Sequence, residues 1–291
     1  MNDDDILNKG GTQDDINSYA EQNGASYNPT SEPVLTINEQ PKDTVICGDC
    51  LEVMKDIPDK SIDMILCDLP YAETGNKWDF KVSPEILWQE YERIIKDDGA
   101  IVLTGTFKFG TQLYLQAPHL YKYDWIWEKD NGTNVVAANH QPLRVHEQVF
   151  VFGKQAVTYT PRNQYMKYNP QKTEGKPYKC VSGKQSSNWK GGTVENFETN
   201  NESGLRHPRT VQKFNRDTPK LHPTQKPVAL FEYLIKTYTN DGDLVLDNCA
   251  GSGTTAIACL NTNRNYILIE KEPEYIEVIN KRIKDHQERL L

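Results

Sequence analysis

Asp68-Leu69-Pro70-Tyr71 carries the sharpest chemical signal in the chain. It follows directly on an apolar, strand-like run, Ser61-Ile-Asp-Met-Ile-Leu-Cys67, and in open α/β sheets ligands bind beyond the carboxyl ends of strands. A carboxylate, a rigid proline and an aromatic ring at that place suit an exocyclic amino group with two N–H bonds to satisfy. Asp68 and the Leu69 carbonyl would accept those bonds and steer the nitrogen lone pair outward, while Tyr71 would stack on the ring that bears the group. On its own the tetrapeptide also reads as an ordinary turn, since Asp and Pro both favour turns. A second, independent constellation has to decide between the two.

That constellation is Asp243-Leu-Val-Leu-Asp-Asn-Cys-Ala-Gly-Ser-Gly-Thr-Thr255, a strand that runs into a glycine-rich turn and then a helix. Gly251 and Gly253 would let the backbone approach a ligand closely, and the helix N-terminus favours a carboxylate. The turn is not a P-loop, because no lysine follows Gly253, and Ala256 occupies the third glycine position of a dinucleotide fingerprint. An adenosine cofactor with an amino-acid tail fits these departures better than a dinucleotide does. The next strand-like run, Tyr266-Ile-Leu-Ile-Glu270, ends in an acid where Rossmann-like folds bind ribose hydroxyls.

Positioning these groups requires a sheet. Short apolar runs at residues 44–47, 62–67, 100–103, 125–127, 148–152, 243–246 and 266–269 predict seven strands, and helical patterns cover 84–95, 228–238, 254–260 and 273–286. The alternation is that of an α/β domain around a mostly parallel sheet. It stops between residues 154 and 221, a stretch rich in Gly, Pro, Asn, Gln and Lys that reads as an insertion. Residues 1–43 lack periodicity and read as a disordered acidic tail.

The net charge of -8 would argue against a nucleic-acid partner if it were evenly spread. It is not: residues 1–43 hold 9 acidic and 2 basic side chains, whereas 154–226 hold 14 basic and 5 acidic. The chain has 6 cysteines, and only Cys47-Gly48-Asp49-Cys50 has metal or redox spacing. No second such pair accompanies it, so no metal is expected and the thiols read as small hydrophobes in a reducing compartment. No apolar run approaches the roughly 18 to 20 residues that span a bilayer. The opening MNDDDILNKG lacks the pattern of a signal peptide. A soluble, cytoplasmic protein with no membrane partner is expected.

With these motifs in this order, the chain resembles the permuted beta group of DNA amino-methyltransferases, in which a D-P-P-Y loop precedes the glycine turn. His222-Pro-Thr-Gln-Lys-Pro227, just before the helix that leads to the turn, is the most family-specific piece, and the likeness spans roughly residues 44–282. The resemblance implies a circularly permuted, Rossmann-like seven-stranded methyltransferase sheet. Residues 44–153 would form its catalytic half, 222–291 its cofactor-binding half, and 154–221 an inserted target recognition region.

The implied cofactor is S-adenosyl-L-methionine, and the implied reaction is methyl transfer to adenine N6 in double-stranded DNA after base flipping. By the same resemblance Asp49 would contact the cofactor's adenine, flanked by Gly48 and Cys50, and Thr224 and Lys226 would line its methionine end. Asp247 would orient the glycine turn or bind the cofactor amino group. Asn248, Ala250, Gly251, Ser252, Gly253 and Thr254 would form the turn around the cofactor, Glu270 would take the ribose, and Asp68 would face both cofactor and base. Family members include dimers, and some work beside a cognate restriction enzyme.

Two departures stand out. Leu69 replaces the first proline of D-P-P-Y, and Asn248-Cys249 replaces the more usual proline and aromatic. Competing readings are cytosine N4 as the acceptor, RNA or a protein glutamine as substrate, a nicotinamide-dependent oxidoreductase, and a catalytically dead DNA-binding protein on this fold.

Overall fold

The computed structural model describes residues 42–70, 83–158, 164–182, 197–218 and 225–290. The expected tail as far as residue 41, Tyr71 and Thr224 therefore lie outside the described residues.

Five parallel strands form the body of the sheet, β1 (Thr44–Cys47), β10 (Asn265–Glu270), β9 (Leu244–Asp247), β2 (Ile62–Cys67) and β3 (Ile95–Gly105) in spatial order. Beyond β3 lie β5 (Arg144–Phe152) and then β4 (Tyr121–Thr133), which forms an antiparallel pair with it. All seven expected strands are present. An eighth, β8 (Val211–Lys213), comes from the insertion and pairs in parallel with β4 at the edge. The chain moves from β2 outward to β3 on one side and from β9 outward to β10 on the other. Neighbouring strands β2 and β9, registered at Ile65 and Leu246, thus flank the topological switch point where a crevice opens.

Strand alternation divides the apolar residues between two cores. Ile65, Cys67, Ile101, Leu103, Phe150, Phe152, Leu246 and Ile269 face the helices α1 (Cys50–Val53), α2 (Pro84–Ile94) and α3 (Phe107–Gln116). Met64, Leu66, Ala100, Val102, Trp125, Val149, Val151, Val245 and Leu268 face α4 (Val228–Tyr238), α5 (Thr254–Asn261) and α6 (Pro273–Leu290). The pattern did not reveal α3, whose apolar face is broken by Gly110. A Cβ there would stand 1.7 Å from the Phe150 ring, so glycine is what allows this helix to lie so close to the sheet.

The insertion is less irregular than its composition suggests. Its early part is fastened to the strand-start end of the sheet. Lys167 N donates to Asp98 O at 2.8 Å, Asn169 N to Thr237 O at 2.7 Å, and the Lys167 ammonium pairs with Asp243 at 2.6 Å and Asp63 at 3.2 Å. Further on, β6 (Tyr178–Ser182) and β7 (Phe197–Asn201) form an antiparallel pair of their own. Among the described residues no helix is long and apolar enough to cross a membrane.

Tyr238, at the end of α4, is fully buried against the outer strands. Its hydroxyl accepts from Trp125 Nε1 at 2.6 Å and lies 2.9 Å from the Tyr123 hydroxyl. Tyr238→Phe would strand the indole N–H away from water and is expected to cost about 1–3 kcal/mol in urea unfolding. A loss below about 0.5 kcal/mol would show that this hydrogen bond is not needed to satisfy the core.

Candidate active site

The carboxyl edge of the sheet is apolar until its last residues and then becomes charged. On the face toward α4, β2 runs Met64, Leu66 and then Asp68, while β3 runs Ala100, Val102 and Thr104. On the same face the antiparallel β5 runs from Glu147 at this edge through Val149 and Val151, while β4 runs Trp125, Trp127 and Lys129. A period of two places the polar tips of four strands on one face, and the registers bring them side by side, Thr104 opposite Val149 and Trp127 opposite Glu147.

Lys226 completes the cluster. It enters from the segment before α4 with its side chain only 6% exposed, and its ammonium pairs with Asp68 Oδ2 and lies 3.5 Å from Glu147 Oε2. Thr104 Oγ1 donates to Asp68 Oδ1 at 2.5 Å, and Lys129 pairs with Glu147 Oε1 while lying 5.2 Å from the centre of the Trp127 ring. Burial alone would lower the Lys226 pKa, but the Asp68 and Glu147 carboxylates raise it. Burial would likewise raise that of Glu147, yet Lys226 and Lys129 hold it below the usual carboxylate range. Four alternating charges thus share one buried volume. The sequence reading found Asp68 and Lys226 but missed Glu147, Lys129 and Thr104.

The segment that carries Lys226 also joins Asp68 to the glycine turn. Thr254 Oγ1 donates to Lys226 O at 3.4 Å, and Ser252 Oγ to Gln225 Oε1 at 3.4 Å. The turn itself is pinned from several sides. Asp247 accepts from Cys249 N at 3.2 Å and Thr255 Oγ1 at 2.5 Å, Glu270 Oε2 accepts from Gly251 N at 2.7 Å, and Arg282 donates to Ser252 O at 3.0 Å. Gly251 and Gly253 adopt φ of 51° and 75°, the left-handed region. A Cβ on Gly253 would meet Ile279 of α6 at 3.0 Å, so packing against that helix, rather than approach to a ligand, also calls for glycine.

The remaining expected residues gather around this turn with differing freedom. Asp49 caps α1, accepting from Leu51 N at 3.0 Å, and pairs with Lys271 at 3.2 Å beside the end of β10. Glu270 lies opposite Cys47 of β1, and its Oε1 accepts from Glu272 N at 2.9 Å. Both carboxylates sit at strand ends where ribose or adenine contacts would be made. Asn248 instead accepts the Tyr91 hydroxyl at 2.6 Å inside the core, so its side chain is spent there and its backbone is what it can offer a ligand. Ala250 is buried and donates to Ile269 O at 3.0 Å. Cys50 is buried among apolar side chains, all six cysteines are free thiols, and burial pushes Cys67 up to about 12, an unreactive value. Leu69 is buried, while Pro70 is partly exposed where the described residues of the loop end.

A carboxylate at the switch point of a parallel sheet, tied through Lys226 to a glycine turn on the neighbouring strand, defines an α/β enzyme that brings a nucleotide-type cofactor to an acceptor. The family model described as DNA methylase, of the N6 and N4 methyltransferases, matches residues 62–281, and the chain belongs to this family. It is 29% identical over 252 residues to the type II methyltransferase M.HpaI of Haemophilus parainfluenzae, covering 82% of this chain and 73% of that relative. It is also 29% identical over 255 residues to the DNA adenine methyltransferase YhdJ of Escherichia coli strain K12, covering 81% and 80%. The crystal structure of the M1.HpyAVI-SAM complex aligns with a TM-score of 0.54 and 25% identity over 82% of this chain and 98% of its own. The PvuII cytosine-N4-specific DNA methyltransferase, at 15% identity, shares the fold with a TM-score of 0.59 over 86% and 92%.

Burial pushes the Asp247 carboxyl up to about 7, against the opposing pull of the Thr255 hydroxyl and the Cys249 N–H. Between about pH 4 and pH 7 the folded protein therefore keeps a proton that the unfolded chain has released. Stability from this group falls as pH rises across that window and is level above it. Asp247→Asn removes the titration, so its unfolding free energy relative to the parent should improve steadily from pH 4 to pH 7. A difference that stays flat over that range in urea titrations would mean Asp247 is ionised in the folded protein.

Proposed function

We propose that the protein transfers a methyl group from S-adenosylmethionine to adenine N6 in double-stranded DNA, with the target base flipped out of the helix. The observation that carries this reading is the Asp68 carboxylate, fixed by Thr104 and Lys226 at the crevice beside the glycine turn. A carboxylate has about four lone-pair sites. Thr104 meets its Oδ1 and Lys226 its Oδ2, which orients the carboxylate toward an incoming N–H.

The residues present suit the cofactor. The N-terminus of α5 offers partial positive charge to an amino-acid carboxylate, and Glu270 and Asp49 offer acceptors to ribose and adenine. The cofactor brings an already activated methyl group on a sulfonium. The chain's part is therefore mainly to position nitrogen against carbon and to stabilise the charge that nitrogen acquires. Asp68 would accept an amino N–H, oppose the developing positive charge and take the proton as the product forms. The Leu69 carbonyl would accept the second N–H, Pro70 would fix the loop's course, and Tyr71 would stack on the base.

Adenine is favoured over cytosine because the loop opens on an acid, where the family's cytosine enzymes more often carry serine, and because YhdJ bears the name of an adenine methyltransferase. We assign target recognition to residues 154–221, whose described β6–β7 residues take no part in the two cores. The strap that carries Lys167 and Asn169 is structural and is left out of that role. A cytoplasmic setting and a cognate restriction enzyme accord with this reading, since M.HpaI is named a type II methyltransferase.

Labelled methyl transfer to duplex DNA of mixed sequence, followed by nucleoside digestion and mass analysis, tests the proposal. The expected product is N6-methyladenine, reduced at least about a hundredfold by Asp68→Ala. N4-methylcytosine would correct the base while leaving the mechanism, and no product despite cofactor binding would refute DNA methylation.

A further inference from the structure

Glu147 is a carboxylate that neither the catalytic loop nor the glycine turn calls for. It lies on β5, with its Oε1 paired to Lys129. Among the described residues its Oε2 is buried without a hydrogen-bond partner, and it stands 3.5 Å from the Lys226 ammonium. Buried polar atoms are nearly always satisfied, so an exception calls for an explanation, a catalytic role among them.

We infer that Glu147 is a positioning residue for methyl transfer, its Oε2 being the second acceptor onto which the Lys226 ammonium moves when Asp68 is engaged by the substrate amino group. This rests on the functional reading above. As the N–C bond to the methyl group forms and the C–S bond breaks, the amino nitrogen becomes cationic. One N–H proton then passes to an Asp68 oxygen and its bonding pair returns to nitrogen, leaving a secondary amine and a neutral carboxyl. Lys226, itself buried, has by then lost its closest counter-ion, and Glu147 is within 3.5 Å.

Among the described residues the charged groups facing this volume are Asp68 after β2, Lys129 on β4, Glu147 on β5 and Lys226 before α4, with the uncharged Thr104 on β3. These four charges sum to zero before transfer and to one positive charge after it. Without Glu147 the buried excess would be one charge greater at each stage, a costly arrangement at low dielectric. A small shift of one ammonium between two carboxylates avoids it.

The test is single-turnover methyl transfer by the full chain, with enzyme in excess over duplex DNA and saturating S-adenosylmethionine, followed across pH. Glu147→Gln is expected to lower the rate about tenfold or more while binding of cofactor and DNA stays within about threefold. Its alkaline limb should move to lower pH, because Lys226 has lost one of the two carboxylates that keep it charged. Lys129→Met should move that limb to higher pH, because a neighbouring cation is gone, whereas Glu147→Asp should leave it near the parent position. A Glu147→Gln protein with a rate within about twofold of the parent and an unmoved limb overturns the inference. If that variant does not fold, an unmoved limb in Lys129→Met overturns it equally. Absence of transfer by the parent protein would count against the functional reading instead.

Discussion

Taking an ammonium out of water costs several kcal/mol, a cost recovered only where opposite charges meet it at close range. Lys226 has given up nearly all its solvent and meets Asp68 at one end of its reach and Glu147 at the other. The rest of the site follows from that pairing. The ion pair fixes the Asp68 carboxylate from behind, and the backbone of the same lysine accepts from Thr254 at the start of α5. Loosening it would free both Asp68 and the turn proposed to hold the cofactor.

The pairing is possible only because four strands present polar tips on one face of an otherwise apolar sheet. Met64 and Leu66 anchor β2 in the core before Asp68 emerges, and Trp125 and Trp127 do the same for Lys129. A charge placed one residue earlier or later on any of these strands would point into the opposite core, toward α2 and α3. Burial of the apolar face thus dictates which side the charges occupy. The Trp127 ring beside Lys129 extends that apolar surface up to the charged group itself.

Rigidity around the glycine turn has a similar origin. Acceptors and donors from β9, β10, α6 and the segment before α4 each take one backbone or hydroxyl group of the turn. Such convergence keeps hydrogen-bonding groups aimed before any ligand arrives, which lowers the ordering cost of binding. Gly253 illustrates how packing and function share a residue, since its left-handed backbone shapes the turn while its missing side chain makes room for Ile279.

Much of this was legible in the sequence. Period-two runs located all seven strands, and their order with the helices gave the α/β class. The D-L-P-Y loop, the H-P-T-Q-K-P element and the glycine turn with Glu270 are local strings whose chemistry travels with them. Glu147, Lys129 and Thr104 escaped because each borders an ordinary alternating run, and a polar group at such an edge is most often merely solvated. Nothing local distinguishes Glu147 from Glu128, which is partly exposed. Lys167 was read with the basic insertion for the same reason, although it is engaged by Asp63 and Asp243. The sequence alone determined the seven main strands and four of the helices and singled out the short motifs, because backbone periodicity and turn chemistry are properties of neighbouring residues. Which distant charges share a buried volume was decided only by the tertiary structure, because cross-strand register and the low dielectric of a common core exist only once the sheet is assembled.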